Sequence, residues 1–159
     1  MAKKTDDVRR AFATNRAARY NYTITDQIET GLSLLGAEVK SVREGKVVLK
    51  DAFATIKDGE VFLHNMHISP YKFATGTPIE PERTRKLLLH RREIEKLGRA
   101  IRQQGVTLVP LRLYLNRGFI KVELGLAKGK KQHDKRATKR DDAMKRDLRA
   151  ELARRQKGR

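Results

Sequence analysis

Val47-Val48-Leu49-Lys50-Asp51-Ala52-Phe53-Ala54-Thr55-Ile56-Lys57-Asp58-Gly59-Glu60-Val61-Phe62-Leu63-His64-Asn65-Met66-His67 decides how the rest of the chain is read. Two apolar-rich runs flank Asp58-Gly59, a dipeptide that accepts the positive φ angles of a tight hairpin turn. The pattern predicts strands over Val47–Lys57 and Glu60–His67. The same grammar returns downstream, where strands over Thr107–Leu115 and Phe119–Leu126 flank Asn116-Arg117-Gly118. Upstream, Tyr20, Tyr22 and Ile24 alternate with polar residues at the period of a half-buried strand, which Gly31 and Leu32-Ser33-Leu34-Leu35 prolong or bend. Helices are expected over Ala37–Glu44, ended by Gly45, and over Arg91–Gln104, where Ile94, Leu97 and Ile101 share a face and Gly105 closes the last turn. Pro70, Gly76, Pro78 and Pro81 predict an exposed loop, and residues 1–14 read as flexible. Short strands, tight turns and about two to three flanking helices make the chain mainly β, a small closed barrel of the oligonucleotide-binding class.

The composition divides the 159 residues at Ala127. Residues 128–159 carry fourteen Lys/Arg against five Asp/Glu, half of the chain's net +18, and contain no Phe, Tyr, Val or Ile. Such a tail buries too little apolar surface to offset its ordering entropy, so it is expected to be disordered when free. Met144, Leu148 and Leu152 recur every four residues, with opposite charges at the same spacing in Asp141–Lys145, Asp142–Arg146 and Glu151–Arg155. Each pair adds only about 0.2–0.5 kcal/mol, which predicts a helix formed on a surface or simply a solvated charge run. Residues 1–127 form the folded domain and hold the other +9. A balance this basic selects polyanions, nucleic acid first and anionic membrane second. No apolar run is long enough to span a bilayer and Met1–Asp7 lacks a signal-peptide core, so a cytoplasmic protein is expected.

Chemistry is thinly represented. Without cysteine there is no disulfide, thiolate metal site or thiol nucleophile. Serine occurs only at positions 33, 41 and 69, none in a nucleophile elbow, and Gly125-Leu126-Ala127-Lys128-Gly129-Lys130-Lys131 lacks the spacing of a phosphate loop. His64 and His67 on one strand would face opposite sides and make a poor metal pair. No metal, no cofactor and no catalysis are expected. Basic clusters are better supported: Asn15-Arg16-Ala17-Ala18-Arg19-Tyr20 sets two guanidiniums and an aromatic at the first strand, and Arg83-Thr84-Arg85-Lys86 follows the long loop. Arginine suits phosphate forks and Tyr20 can stack on a base. Glu29, an acid in a basic setting, either orients a guanidinium, accepts from a ribose hydroxyl, or is an ordinary surface carboxylate.

Gly36-Ala37-Glu38-Val39-Lys40-Ser41, His67-Ile68-Ser69-Pro70-Tyr71, Arg83-Thr84-Arg85-Lys86-Leu87-Leu88-Leu89 and Gly125-Leu126-Ala127-Lys128-Gly129-Lys130-Lys131 with Asp134-Lys135-Arg136 resemble, in order and spacing, the small protein B (SmpB) family of bacterial SsrA-binding proteins. The resemblance runs from about Asn15 to Arg140. It implies an oligonucleotide-binding-type barrel that grips the tRNA-like domain of transfer-messenger RNA (tmRNA), and a tail that becomes helical in the decoding centre and empty mRNA channel of a stalled ribosome. It further implies a monomeric, non-enzymatic adaptor of trans-translation, acting with elongation factor Tu and alanyl-tmRNA. The barrel residues it points to are Asn15, Arg16, Arg19, Tyr20, Glu29, Lys40, Arg83, Arg85 and Lys86. The tail residues are Lys128, Lys130, Lys131, His133, Asp134, Lys135, Arg136, Leu148 and Leu152. Two departures from the family pattern stand out: Arg19-Tyr20 where many members have Arg-His, and Leu148 and Leu152 where many have an isoleucine-methionine-lysine cluster. The competing reading is a general ribosomal or nucleoid protein that binds nucleic acid through charge alone, with steep salt dependence and no preference for shape.

Overall fold

Nine strands and four helices follow one another along residues 11–157, which the computed structural model describes apart from the side chains of residues 132–134. In chain order they are β1 (Ala11–Thr14), α1 (Arg16–Asn21), β2 (Tyr22–Leu32), α2 (Gly36–Arg43), β3 (Val47–Val48), β4 (Phe53–Lys57), β5 (Glu60–His64), β6 (His67–Ile68), β7 (Arg85–Leu88), α3 (Arg91–Gln104), β8 (Thr107–Asn116), β9 (Phe119–Gly129) and α4 (Gln132–Lys157). The main sheet is antiparallel in the order β1-β8-β4-β5-β7-β2-β9, and β9 also pairs with β8, so six strands follow each other in a ring. The ring is thinnest at β4–β8, where Ala54 and Leu108 are the paired residues. Strands β3 and β6 form a separate two-stranded sheet.

Both predicted hairpins form with two-residue turns. Asp58 and Gly59 have φ of 52° and 73°, and Arg117 and Gly118 have 50° and 80°, the double positive-φ signature that matches the strands' twist. Asn116 therefore lies in the ladder, paired with Phe119, and is not part of the turn. The long strands expected around the first hairpin are each broken. Asp51 and Asn65 take φ of 62° and 63°, a left-handed conformation that short polar side chains tolerate. These kinks cut β3 from β4 and β5 from β6, so His64 and His67 lie in different sheets. Thr55 Oγ1 meets the His64 Nε2 at 2.7 Å, while His67 stands 3.7 Å from Glu82.

Three further expectations are corrected. Ala11–Thr14, read as flexible, is strand β1 on the edge of β8; residues 1–10 lie outside the described residues. Tyr20 is helical and does not begin a strand, because Asn15 caps α1: its Oδ1 accepts the Ala18 N–H at 3.2 Å, which outweighs the alternation. The alternation is genuine only from Tyr22 onward. Strand β7 was hidden by its charges: Arg85 and Leu87 point inward, Lys86 and Leu88 outward, so a guanidinium occupies a core position.

One apolar core fills the ring, built from inward residues such as Leu63, Leu87, Leu108, Leu113, Val122 and Leu124, with Leu97 of α3 covering one end. A second, smaller cluster lies under α1, where Ala18 packs on Val109, Leu111 and Ala127 beside Tyr22 and Ile24. Gly125 makes that approach possible: a Cβ there would stand 3.0 Å from Leu111 Cδ1 and 3.3 Å from Ile24 Cγ2. In the tail, Met144, Leu148 and Leu152 are exposed on α4, and Arg155 reaches Glu151 at 2.8 Å. Arg146 instead donates to the backbone carbonyl of Asp142.

Candidate nucleic-acid interface

Asn15 is buried and holds the first site together. Its Nδ2 donates to the carbonyls of Pro110 (3.0 Å) and Leu49 (3.4 Å), and its backbone N–H donates to Leu111 at 2.7 Å. Pro110 marks a bulge in β8 and cannot donate to the ladder, so the asparagine supplies a partner for its carbonyl. Asn15 is thus a positioning residue whose polar atoms are spent inside the protein. The helix it caps turns Arg16, Arg19 and Tyr20 to solvent. Among the described residues neither guanidinium has a carboxylate partner.

Lys130 joins this helix to the tail. Its Nζ donates to the Arg19 carbonyl at 3.0 Å and to Thr138 Oγ1 at 2.8 Å, and its N–H donates to Asn21 at 3.0 Å. Strand β9 runs on to Gly129, opposite Tyr22, so the tail root is stitched to the end of α1. Lys128 and Lys131 are exposed at the same corner, and Arg136 and Lys135 lie one turn into α4. His133 and Asp134 belong to α4, but their side chains lie outside the described residues.

Glu29 sits in a polar row across β8, β9 and β2. It pairs with Glu123, which pairs with Arg112, so two carboxylates stand on neighbouring strands. Like charges placed so destabilise a sheet unless offset. Arg112 Nε meets Glu123 at 2.7 Å and its guanidinium lies 4.6 Å from the centre of the Tyr114 ring, while the Tyr114 hydroxyl and Asn116 Nδ2 donate to Glu29. Burial first, then the hydrogen bond to Glu29 and the charges of Glu29 and Glu123, push the Tyr114 hydroxyl well above its ordinary range, so it remains a donor. Glu29 is therefore held by a phenol and an amide, and among the described residues no guanidinium orients it. A Glu29→Ala variant should lose only about 0.5–1.5 kcal/mol by urea unfolding, because Glu29 is exposed and its removal also relieves the repulsion from Glu123.

Further along β2, at Gly31 and Leu32, opens a cleft of about 230 Å³ bordered also by Val39, Arg43, Leu88, Phe119 and Lys121. Leu88 and Phe119 are 53% and 67% exposed, and large apolar side chains rimmed by cations mark an interaction surface. Arg112, Tyr114 and Asn116 alternate along β8, a polar row that sequence periodicity could have shown; the cleft, built from four separate elements, left no such signal.

Arg85 is corrected outright. It is 1% exposed, donating to Glu38 at 2.6 Å and to the carbonyls of Met66 (2.6 Å) and Pro81 (3.0 Å), so it has nothing to offer a ligand. Arg83 donates to the other oxygen of Glu38 through Nε (3.1 Å) and NH2 (2.5 Å). Lys86 is exposed but paired with Glu60 at 2.7 Å, and Lys40 is exposed with its Nζ 5.3 Å from the Tyr71 ring centre. Among the described residues no group of three or more His, Asp or Glu could hold a metal ion, and no helix is long and apolar enough to cross a membrane.

The sequence model of the family described as SmpB protein matches residues 12–154. The chain belongs to the SmpB family. Similar relatives include the SsrA-binding protein of Corynebacterium efficiens, 53% identical over 156 residues that cover 98% of this chain and 95% of that one. The SsrA-binding protein of Geobacillus thermodenitrificans is 53% identical over 148 residues, covering 93% and 96%. Among solved structures, one described as "tmRNA-SmpB: a journey to the center of the bacterial ribosome" matches with a TM-score of 0.63 at 48% identity, covering 75% of this chain and 84% of that chain. The mainly β SmpB fold expected from the sequence is thus the fold observed, with three helices, α1 to α3, flanking the sheet and the fourth in the tail.

Proposed function

We propose that this chain is a non-enzymatic RNA-binding adaptor of trans-translation that binds the tRNA-like domain of tmRNA and delivers it to stalled ribosomes in the cytoplasm. Membership of a family whose relatives are SsrA-binding proteins supports the RNA, and the tmRNA-SmpB structure supports the ribosome as second partner. The observation that carries the reading is the unpaired cationic corner: Arg16 and Arg19 on a helix fixed by Asn15, with Lys128 and Lys131 beside them where the tail departs. A rigid pair of guanidiniums grips an RNA backbone bidentately, while the cleft with Leu88, Phe119 and Lys121 offers an apolar surface for unstacked bases. Residues 1–127 then serve as the RNA-binding body and residues 128–159 as the ribosome-directed arm.

The test is affinity at near-physiological salt for the tRNA-like domain, an ordinary tRNA and duplex DNA of matched length. The tRNA-like domain should bind best, and the double variant Arg16→Ala/Arg19→Ala should weaken it and reduce the salt slope by about two, one for each phosphate no longer neutralised. Equal affinity for all three ligands would favour binding by charge alone.

A further inference from the structure

The connection between β6 and β7 carries a second aromatic and cationic site, whose cleft shares no lining residue with the one described above. Phe73 is 72% exposed, the most exposed large apolar residue of the barrel, and no apolar core contact accounts for it. Tyr71 meets it edge to face, ring centres 5.7 Å apart and planes at 70°. Lys40 of α2 lies 5.3 Å from the Tyr71 ring centre and Lys72 lies 5.9 Å from that of Phe73. Among the described residues neither ammonium has a carboxylate partner, and Glu38, the nearest acid in sequence to Lys40, is consumed by Arg83 and Arg85. A cleft of about 230 Å³ opens beside Tyr71, which lines it together with Ala37, Glu38, Ser69, Thr75 and Thr77.

The loop is held in shape although it lacks regular structure. Ser69 N–H donates to Lys46 and Ile68 N–H to Pro81, each at 3.0 Å, and Ala74 N–H closes a turn onto Tyr71 at 3.1 Å. Arg85 fixes the far limb through Pro81. An exposed aromatic on a fixed loop, with cations alongside and hydroxyls lining a cleft, matches the requirements of a nucleotide: a ring face for the base, ammonium groups for phosphate, hydrogen-bonding groups for the base edge or ribose.

We infer that Tyr71, Phe73, Lys40 and Lys72 form a stacking site for an unpaired nucleotide of single-stranded RNA, separate from the surface proposed for the tRNA-like domain. The inference rests on the RNA-binding reading for the class of ligand and adds a second point of attachment beside α2. Charge favours RNA over an acidic peptide, since Lys40 and Lys72 flank the rings and Glu38, the acid that lines the cleft, is neutralised by Arg83 and Arg85.

The chain contains no tryptophan, so Phe73→Trp places a single reporter at the site. In the full-length protein, a ten-nucleotide oligouridylate should quench its fluorescence saturably, because a stacked base quenches indole whereas a strand held only by the distant tail does not. Phe73→Ala should weaken crosslinking of a 5-iodouridine oligonucleotide to residues 71–73 about tenfold, the scale of removing one base–aromatic stack. Unquenched fluorescence at saturating oligonucleotide would overturn the site, as would quenching by an acidic apolar peptide alone, which would assign the platform to a protein partner. Wild-type affinity for the tRNA-like domain, measured alongside, reports on the proposed function independently: its retention with no quenching sinks the second site only.

Discussion

Truncation after Lys131 is expected to leave affinity for the tRNA-like domain within about threefold while abolishing tagging of nascent chains on stalled ribosomes. The cut retains Gly129 opposite Tyr22 and the Lys130 hydrogen bonds to Arg19 and Asn21, so the sheet and α1 remain intact. It removes eleven basic and five acidic residues, a net of +6, and with them α4, whose described residues beyond Thr138 are all exposed and add little to the folded body. Some affinity is lost because long-range attraction to phosphate falls with net charge, and that part should vanish as salt is raised. Filter binding and an in vitro tagging assay on the same preparation read the two effects. Parallel loss of both activities would show that the tail supplies the RNA binding, contrary to the division proposed.

The second large effect concerns Glu38. Its carboxylate is 3% exposed and accepts from Arg83, Arg85 and the Leu35 N–H, tying α2, β7 and the long loop into one buried cluster. Glu38→Gln should destabilise the protein by roughly 3–5 kcal/mol, because Arg85 would keep its buried charge without a counter-ion. Replacing both partners, Glu38→Gln with Arg85→Met, should recover part of the loss, which separates an unpaired charge from simple mispacking. The cluster also sets a pH dependence. Burial works against the Glu38 charge, but the hydrogen bonds from Arg83, Leu35 and Arg85 outweigh it and hold the carboxyl below its ordinary value. A carboxyl depressed by folding stabilises the native state above its unfolded pKa of about 4.3, and that stability drains away as pH falls through the lower folded value. Urea midpoints between pH 3 and 7 should show this acid limb in the wild type and a flatter one in Glu38→Gln.

The parts of this fold that sequence disclosed are those decided locally. Asp58-Gly59 and Arg117-Gly118 specify their turns from two residues each, and α3 announces itself through Ile94, Leu97 and Ile101 and the left-handed Gly105 that ends it. What stayed hidden depends on distant partners. Arg85 looks like a surface cation until Glu38, 47 positions earlier, is brought against it. Asn15 looks like a ligand-binding residue until Pro110, 95 positions later, takes its amide. The basic clusters were therefore visible as composition, but their division into spent and available charges was not. Family resemblance carries the same limit: it names Arg16 and Arg85 alike, and only burial separates them.

The Lys130 junction has one more consequence. An α-helix rises about 1.5 Å per residue, so the 26 residues of α4 reach about 39 Å from a root that is also the edge of the guanidinium helix. When helical, the tail is then a ruler with its zero mark at the barrel: an anion gripped at one end and another met at the far tip are registered to a fixed separation. Inserting one helical turn beyond Thr138 would shift that separation by a single pitch without touching either end.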